Sequence, residues 1–384
     1  MQIQTIQYVE NKGWSADTFP KMDSENTLII VFAAPEFIGN AAPIKELSQH
    51  YPKSIMVGCS SSGEIFESFI YDKSLTVAIL HFDKTQLKAI KREIKNPEDS
   101  YTCGKYLADE LKGKGLAGIF VLSEGLNVNG SELVKGLNTI DDKKVVITGG
   151  LAGDGSNFKQ TWTILNGEIH LNTIIAVGLY GDSIEITHAS RGGWDIFGPE
   201  RHITRSKNNI LYELDGRPAL ELYKEYLGDK AKGLPATGLL YPLAIRTHKD
   251  DSRQLVRTIL ATNEKDQSLT FAGDVPLGNL AQLMRANFDR LIASAGEAGE
   301  SSIKKIITKS NKDALPVACI SISCVGRRLL LGERTEEEVE TVRETLPAKA
   351  HQIGFYSYGE LSPYSTGQCD LHNQTLTLTL FYEN

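Results

Sequence analysis

One seven-residue phrase occurs twice in the chain, near its two ends. Residues 58–64 read GCSSSGE and residues 354–360 read GFYSYGE, so glycine, serine, glycine and glutamate recur at the same offsets. Each copy follows an apolar strand-like run and leads into an alternating strand, over residues 74–82 and 374–382. Duplicated units of this kind often pack together and enclose a cleft, and such clefts are where small ligands bind.

A third unit has the same order of elements but little sequence similarity to the other two. Residues 116–122 form a strand-like run, residues 130–137 have a helical pattern, and residues 145–148 form a second apolar run. They lead into the glycine-rich turn GGLAGDG at residues 149–155. This turn lacks the G-x-G-x-x-G spacing and a following helix, so it does not indicate dinucleotide binding. The pattern predicts a tight turn, with a border of a ligand cleft as the alternative.

Short runs rich in valine, isoleucine, leucine and phenylalanine alternate with helical patterns along the chain. This arrangement indicates layered sheets rather than one continuous doubly wound sheet. We predict an α/β chain of mixed α+β type, with two layered mixed-sheet domains that contain internally duplicated strand–helix–loop–strand units. The weakest hydrophobic pattern, at residues 192–209, predicts a boundary between domains at residues 27–205 and 206–384.

Three helices are predicted in the second half of the chain, and the first covers residues 218–227, with Pro218 near its first turn and Gly228 at its end. Apolar residues recur with helical spacing over residues 277–295, which predicts one continuous helix there. A further helix is predicted over residues 335–346, where Thr335 and Glu338 have the spacing of a capping box.

Composition excludes several classes of protein. The net charge of -7 argues against a nucleic-acid partner, which would require a basic surface. Residues 1–12 are polar and do not resemble a signal peptide. The apolar runs are shorter than the about 20 residues that span a bilayer. We therefore expect a soluble cytoplasmic protein with neither a membrane nor a nucleic-acid partner.

Cysteine and histidine usage points to no metal site. The five cysteines are odd in number and none forms a C-x-x-C pair, which argues against a disulfide framework or a zinc ribbon. The histidines form no metal-binding motif. A single axial histidine for haem leaves no motif at all, so the cofactor stays open. If haem is bound, His188 and His202 are the candidate ligands.

The repeated loops offer backbone N–H groups, hydroxyls and one acid each. A phosphate-binding P-loop also has two glycines five residues apart, but a glutamate stands here where that loop has lysine, and it would repel phosphate. The loops suit a small zwitterionic ligand, whose carboxylate would meet amides and hydroxyls and whose amine would meet a glutamate. The alternative is a tight connection with glycines at positive φ. The candidate binding residues are Cys59, Ser60, Ser61, Gly63, Glu64, Tyr356, Ser357, Tyr358 and Glu360.

Four residues outside the repeated loops complete the candidate set, namely Asp154, Tyr241, Arg257 and Arg327. Asp154 is the acid of the third turn. Arg327 follows an apolar strand, where it would pair with a carboxylate of either the ligand or Glu360. Arg257 lies inside a strand, where a charge requires a partner. Tyr241 and the loop tyrosines would form an aromatic wall or belong to the core.

Catalysis has little support in the sequence. No Ser/His/Asp pattern, no informative pair of carboxylates and no G-x-S-x-G elbow occurs. We therefore expect a protein that is not an enzyme. The alternative is a hydrolase that uses Cys59 or Ser60 as its nucleophile.

Six segments, in order along the chain, resemble the FIST proteins, which are bacterial sensory modules with an N-terminal and a C-terminal half. The segments are residues 58–64, 149–154, 209–219, 241–242, 324–327 and 354–360. The resemblance implies intracellular sensing of small ligands in signal transduction, and amino acids are the ligand class proposed for the family. The chain shows no output domain and looks like the stand-alone type, which would act through a separate partner such as a histidine kinase.

The leading hypothesis is a non-enzymatic sensor with an amino-acid-like ligand in a cleft lined by both repeated loops. Ligand contact with both halves would shift their relative position, and a partner protein would read that shift. Glu64, Glu360, Ser61, Ser357 and Arg327 are the first candidates for ligand contact. Because a subset of stand-alone FIST proteins senses nitric oxide with haem, the alternative is a haem-based nitric oxide sensor in a two-component system.

Overall fold

The computed structural model describes residues 1–140, 144–251, 254–307, 316–364 and 367–384. The strands are β1 (Gln2–Val9), β2 (Gly13–Trp14), β3 (Thr27–Ala33), β4 (Ile55–Ser60), β5 (Glu64–Phe66), β6 (Phe69–Tyr71), β7 (Ser74–His81), β8 (Gln86–Glu93), β9 (Leu116–Ser123), β10 (Val146–Leu151), β11 (Thr163–Leu165), β12 (Glu168–His170), β13 (Thr173–Tyr180), β14 (Ile184–Arg191), β15 (Asp195–Lys207), β16 (Ile210–Leu214), β17 (Arg217–Pro218), β18 (Leu243–Arg246), β19 (Leu255–Arg257), β20 (Ile259–Asn263), β21 (Ser268–Phe271), β22 (Leu280–Arg285), β23 (Val317–Cys324), β24 (Ala350–Ser357), β25 (Gly359–Pro363), β26 (Cys369–His372) and β27 (Leu376–Glu383). The helices are α1 (Ala42–His50), α2 (Ser100–Leu111), α3 (Gly130–Leu137), α4 (Ala219–Leu227), α5 (Phe288–Ile307), α6 (Val325–Leu331) and α7 (Thr335–Thr345).

Three sheets share one strand order. In each of them a central strand has a parallel partner on one side and an antiparallel partner on the other, followed by an outer antiparallel strand. The three series are β4-β3-β7-β1, β10-β9-β13-β8 and β24-β23-β27-β14. Helices join the parallel pair in every case, namely α1, α3 and the α6–α7 pair. The chain therefore contains three copies of one unit, and the weak third copy expected from the sequence is confirmed.

The three units exchange hairpins in a closed cycle. The β5–β6 hairpin follows the loop of the first unit but pairs with β24 of the third. The β25–β26 hairpin follows the third unit and pairs with β10 of the second. The β11–β12 hairpin follows the second unit and pairs with β4 of the first. Each sheet is thus completed by a hairpin from another unit, so no unit forms its full sheet alone.

The central core lies where the inner faces of these three sheets meet. Phe32 of the first unit stacks on Phe355 of the third at 4.5 Å between ring centroids, and Phe120 of the second meets Phe381 edge to face. Helices cover the outer faces of the same sheets. Helix α1 packs on the first sheet, α2 and α3 pack on the second, and α5 and α7 pack on the third, and each set forms a separate apolar cluster with its sheet. Strands buried on both faces read as continuous apolar runs, which explains sequences such as Leu28 to Ala33.

A fourth sheet is inserted into the third unit between β14 and α5. Its strand order is β19-β18-β22-β15-β16-β21-β20, and β17 pairs with β16. Helix α4 packs on one face of this inserted sheet through Leu220 and Tyr223. The domain boundary predicted at residue 205 falls within β15, whereas sheets of the core combine strands from both sides of that boundary.

The mixed α/β class predicted from the sequence is confirmed, but one predicted helix is wrong. Residues 277–295 do not form a single helix, because strand β22 ends at Arg285 and α5 begins at Phe288. Asn287 separates the two elements, and its side-chain oxygen accepts a bond from the Arg290 N–H. Apolar residues at positions 280, 283 and 284 fit both a helix face and this strand, whose neighbours on either side are β18 and β15.

Three glycines occupy one equivalent position, where the second strand of each unit passes close to the first. A Cβ atom on Gly354 would lie 1.8 Å from the Ser321 carbonyl oxygen. The corresponding distance is 2.4 Å from Gly58 to the Val31 oxygen and 1.8 Å from Gly149 to the Val121 oxygen. Any side chain here would force the parallel strands apart.

We predict that Gly354→Ala lowers the free energy of unfolding by about 3 kcal/mol, because the backbone of β23 cannot move without disturbing the central core. Urea denaturation followed by circular dichroism measures the change. Gly39→Ala is the matched control, since Gly39 has φ of -81° and its Cβ would lie 3.4 Å from the nearest atom. Equal stability of the two variants would contradict the predicted close approach.

Candidate functional site

The loops that follow β4, β10 and β24 meet in a ring of three equivalent backbone hydrogen bonds. In each bond the donor lies four residues after the shared glycine of one loop, and the acceptor lies two residues after the shared glycine of another. The bonds run from Ser62 N to Tyr356 O (2.8 Å), from Gly153 N to Ser60 O (3.1 Å) and from Tyr358 N to Leu151 O (3.2 Å). The two repeated loops and the glycine-rich third turn therefore lie together at the centre of the molecule, and we call this arrangement the loop ring.

The glutamates of both repeated loops bond to the serine three residues before them. Ser61 donates to Glu64, and Ser357 donates to Glu360 at 2.7 Å. Glu64 also accepts from the N–H and hydroxyl of Ser74, at 3.2 and 2.8 Å. All of these groups are buried. The serine–glutamate bond is therefore shared by both units, and Glu64 also braces the start of β7.

Burial controls the ionisation of these two acids. It raises the pKa of Glu64 to about 8, although the bonds from Ser61 and Ser74 act in the opposite direction. Burial likewise raises the pKa of Glu360 well above its ordinary value, against the bond from Ser357 and the nearby charge of Arg327. Near pH 7, Glu64 holds its proton and is a neutral group in the loop ring.

The third loop differs from the other two because Asp154 stands where they have glycine. Its carboxylate accepts from the backbone N–H groups of Phe158, Lys159 and Gln160 at 2.8 to 3.0 Å, and also from the Tyr358 hydroxyl. Burial opposes ionisation here, but these bonds outweigh it and hold the pKa of Asp154 below its ordinary value. Asp154 therefore organises the longer loop that leads to β11.

Arg327 has an internal partner, which is Glu338 rather than the expected Glu360. Its Nε lies 2.6 Å from Glu338 Oε1, and both side chains are fully buried. The guanidinium also donates to the carbonyl oxygens of Gly192 and Leu291. Because Glu338 is committed to this pair, the capping box expected with Thr335 does not form; Thr335 donates to the Gly332 and Arg328 oxygens.

Several other candidate residues lie inside the fold. Cys59 and Ser60 have no exposed surface, and burial raises the pKa of the Cys59 thiol well above its ordinary value, which gives a hydrolase no reactive thiolate. The Tyr356 hydroxyl lies 3.1 Å from Glu338. Tyr241 belongs to the inserted sheet region, where its carbonyl oxygen accepts from the Tyr223 hydroxyl at 2.7 Å.

One open cleft of about 610 Å³ adjoins the loop ring, and we call it the loop cleft. Ser62 and Gly155 contribute to it from two loops, and the remaining wall comes mainly from the segment that contains α6 and the start of α7. Arg328 lies across the cleft, donating to the Ser62 oxygen and to both oxygens of Asp72, at 2.9 and 2.8 Å. The repeated serines and glutamates lie behind this surface rather than on it.

A second cavity of about 200 Å³ lies between α3 of the second unit and the inserted sheet, and we call it the Arg257 cavity. Arg257 is 4% exposed and donates from Nε to the Asp274 oxygen (2.9 Å) and from Nη1 to the Val256 and Leu371 oxygens (3.1 Å each). Within the described part of the chain, no carboxylate lies within 4 Å of this guanidinium and Nη2 has no acceptor. Gly273 lies flat against the side chain, with its Cβ position 3.0 Å from Nε.

A third cavity of about 510 Å³ lies where β14 and β26 meet the inserted sheet, and we call it the His188 cavity. His188 and His372 line it together with Trp194, Val256 and Met284. Burial lowers the pKa of His372 to about 4, so this imidazole is neutral at pH 7. The other histidine candidate, residue 202, is exposed on β15 and does not line the cavity.

Sequence reasoning missed most of the residues around the two cavities. Arg257 was identified as an interior charge, but Asp274 and Lys135 carry no local pattern that would associate them with it. His372 is also separated from His188 by a long stretch of sequence, whereas Trp194 follows His188 closely, after two glycines. A signal for Arg328 was available, since it directly follows Arg327 and adjacent residues of a helix point in different directions.

We predict that Glu64→Gln becomes stabilising relative to the unchanged chain as the pH rises from 5 to 8. A carboxyl with a raised pKa in the folded protein costs stability between its unfolded pKa, about 4.3, and its folded pKa, about 8, because only the unfolded chain gains by ionising. The difference in free energy of unfolding should grow by at most about 1.4 kcal/mol per pH unit. Urea titrations at each pH measure it, with the exposed Glu98→Gln as the control. A pH-independent difference would contradict a buried neutral Glu64.

Comparisons with known proteins match two family domains to the chain. The chain matches the FIST N domain over residues 27–217 and the FIST C domain over residues 219–363. It is 25% identical over 361 residues to an uncharacterized protein of Methanocaldococcus jannaschii, a match that covers 82% of this chain and 65% of the length of that relative. No helix among the described residues has the length and apolar character needed to cross a membrane.

Among solved structures, the crystal structure of a cyanuric acid hydrolase from A. caulinodans aligns over 78% of this chain and 100% of its own. Its sequence identity is 11% and its TM-score is 0.18, so this likeness supports no conclusion. The two family matches together cover most of the chain in the expected order. The chain belongs to the FIST family, a family of sensory modules of signal transduction.

Proposed function

We propose that this chain senses a small amino-acid-like ligand, which binds in the Arg257 cavity, and that a separate partner protein reads the bound state. The observation that carries the proposal is the state of Arg257. Its charge is buried, but no carboxylate neutralises it directly among the described residues. Burying an ion without a partner is costly, so a site that retains one is typically completed by a ligand.

The guanidinium is prepared for a carboxylate. Its Nε and Nη1 are held by three carbonyl oxygens, which fix its plane, while Nη2 has no acceptor among the described residues. Burial lowers the pKa of Arg257 to about 10, against the charges of Asp274 and Asp370, so the side chain stays protonated at neutral pH. A planar, charged donor of this kind binds carboxylates in preference to neutral ligands.

The two other cations among the described lining residues are already neutralised. Lys135 lies 3.3 Å from Asp274 and also pairs with Glu132, and Arg246 pairs with Glu200. Arg257 is therefore the cation that the cavity directs at a ligand. The absence of an ion pair at Arg257 among the described residues, compared with the ion pairs of Lys135 and Arg246, is what favours Arg257 as the ligand-binding cation.

The same cavity supplies acids for an ammonium group. Asp251, Asp274 and Asp370 line it, and a ligand amine would meet this side while its carboxylate meets Arg257. The volume of about 200 Å³ equals that of six or seven liquid waters at about 30 Å³ each. A single small zwitterion fits this space, whereas a nucleotide does not.

The position of the cavity provides a route from binding to signalling. Its walls come from α3 in the N-terminal half and from the inserted sheet in the C-terminal half. A ligand that contacts both walls would bias their relative position, which is the change that a partner such as a histidine kinase would read. The binding role of Glu64, Glu360 and the other loop residues stays a prediction; their bonds within the protein compete with any ligand.

We predict that Arg257→Met weakens amino-acid binding at least about 50-fold, because it removes the charge-assisted bonds while keeping most of the apolar stem. The measurement is a thermal-shift screen of the standard amino acids, followed by calorimetry on the one that binds. Arg285→Met, at an exposed position of the same sheet, should leave affinity unchanged.

Gly273→Ala tests the same site without removing the charge. Its Cβ would press on Nε and Cζ of Arg257, at 3.0 and 3.1 Å, and so displace the guanidinium slightly. Affinity should fall by about tenfold. No binding of any amino acid to the unchanged chain, or binding that Arg257→Met leaves intact, would exclude the site.

A second candidate function is haem-based sensing of nitric oxide, which the His188 cavity favours. Its volume of about 510 Å³, the apolar side chains of Trp194, Val256 and Met284 and two imidazoles suit an iron porphyrin, and Arg191 on its wall suits a propionate. His188 would hold the iron. Haem bound by one imidazole supplies a site at which nitric oxide binds. The residues present therefore fit the group.

We predict that added hemin produces a sharp Soret band that saturates at one haem per chain, and that His188→Ala removes the band because the axial ligand is lost. His202→Ala should leave it unchanged, since that side chain lies outside the cavity. Loss of the band on His372→Ala alone would move the axial role to that residue. No saturable band would exclude haem in this chain.

A further inference from the structure

The loop cleft combines apolar side chains with an acidic rim on the outside of the loop ring. Leu329 is 51% exposed at its wall, beside Ile70 and Val325. Phe69, the residue before Ile70 on β6, is 55% exposed. Large apolar side chains grouped around an open cleft are typical of surfaces that bind another protein.

The charges around this cleft are mostly negative. Asp72, Glu333 and Glu336 line it, and all three are exposed. Arg328 is the one cationic side chain among the described lining residues, and its guanidinium already donates hydrogen bonds to Asp72 and to the Ser62 oxygen. The charge left for a partner is therefore that of the two glutamates, which repels acidic partners and attracts basic ones.

We propose that the loop cleft is the docking surface for an amphipathic basic helix of a partner protein. Such a helix would place apolar residues, spaced at three and four positions, against Leu329 and Ile70, and its lysines or arginines against Glu333 and Glu336. The negative charge of the cleft favours a basic helix over an acidic partner. An acidic peptide or a nucleic acid would face the same two carboxylates at close range.

The cleft is mechanically linked to the inserted sheet through adjacent residues of α6. Arg328 points to the Ser62 oxygen at the loop ring, while Arg327 points inward to the oxygen of Gly192. Gly192 lies in the turn where the chain leaves β14 for the inserted sheet. A displacement of that sheet would therefore pull on α6 and alter the wall of the cleft. This link rests on the proposed function, whereas the docking surface itself does not.

The test uses a fluorescent peptide of about 18 residues, built of leucine and lysine with helical spacing, and fluorescence anisotropy with the full chain. We expect saturable binding, with affinity reduced at least about tenfold by Glu333→Lys combined with Glu336→Lys. Leu329→Asp should reduce it similarly by placing a charge against the apolar face. A peptide of the same pattern with glutamate for lysine should not bind.

The matched control is Glu98→Lys combined with Glu110→Lys, two exposed acids outside the cleft, which keeps the change in net charge the same. Unchanged affinity in this control and reduced affinity in the cleft variants would support the docking surface. Equal loss in both pairs, or no saturable binding, would overturn it. The titration contains no amino acid, so its failure is independent of the Arg257 cavity. A melting curve for each variant shows that it is folded.

Discussion

Three backbone hydrogen bonds of the loop ring hold the molecule together at the point where its three units exchange hairpins. Each bond joins two loops from different units, so none of the loops can leave its position without breaking contacts with both others. The hairpins follow these loops along the chain, and each completes the sheet of another unit. Because the bonds are buried, their loss would leave polar backbone groups without partners, which costs far more than the bonds contribute in water.

The ring also explains the phrase that is repeated in the sequence. Its first glycine allows two parallel strands to approach, and its serine and glutamate bond to each other. In the first copy, Gly63 with φ of 129° also lets the chain turn into the hairpin. These are internal roles. A side chain binds a ligand more readily when its polar groups have no partner within the protein. Arg257 and Arg327 differ in this respect. Both are buried, but Arg327 is neutralised by Glu338, whereas Arg257 lines a cavity and, among the described residues, donates to carbonyl oxygens only.

Much of the secondary structure could be predicted from the sequence, because buried strands produce apolar runs and the repeated phrase identifies equivalent loops. The pairing could not, since periodicity shows that a strand exists but not which strand lies beside it, and β5 pairs with β24 across almost the whole chain. The third loop was only weakly recognisable because Asp154 replaces a glycine and a longer connection follows. Arg257 was identifiable as an interior charge in a strand. Its cavity was not, because the opposite wall comes from α3.

A series of contacts connects the Arg257 cavity to the loop cleft through the turn at Gly192. The inserted sheet forms one wall of the cavity and leaves the core at Gly192, whose oxygen accepts from Arg327. Arg327 is fixed to Glu338 on α7, and the next residue, Arg328, reaches the loop ring. A buried ion pair resists separation because each charge would be left unpaired, so Arg327 holds α6 and α7 together at the point where it meets the Gly192 oxygen. In the proposed function, these contacts would carry a motion of the inserted sheet to the surface beside the loop ring.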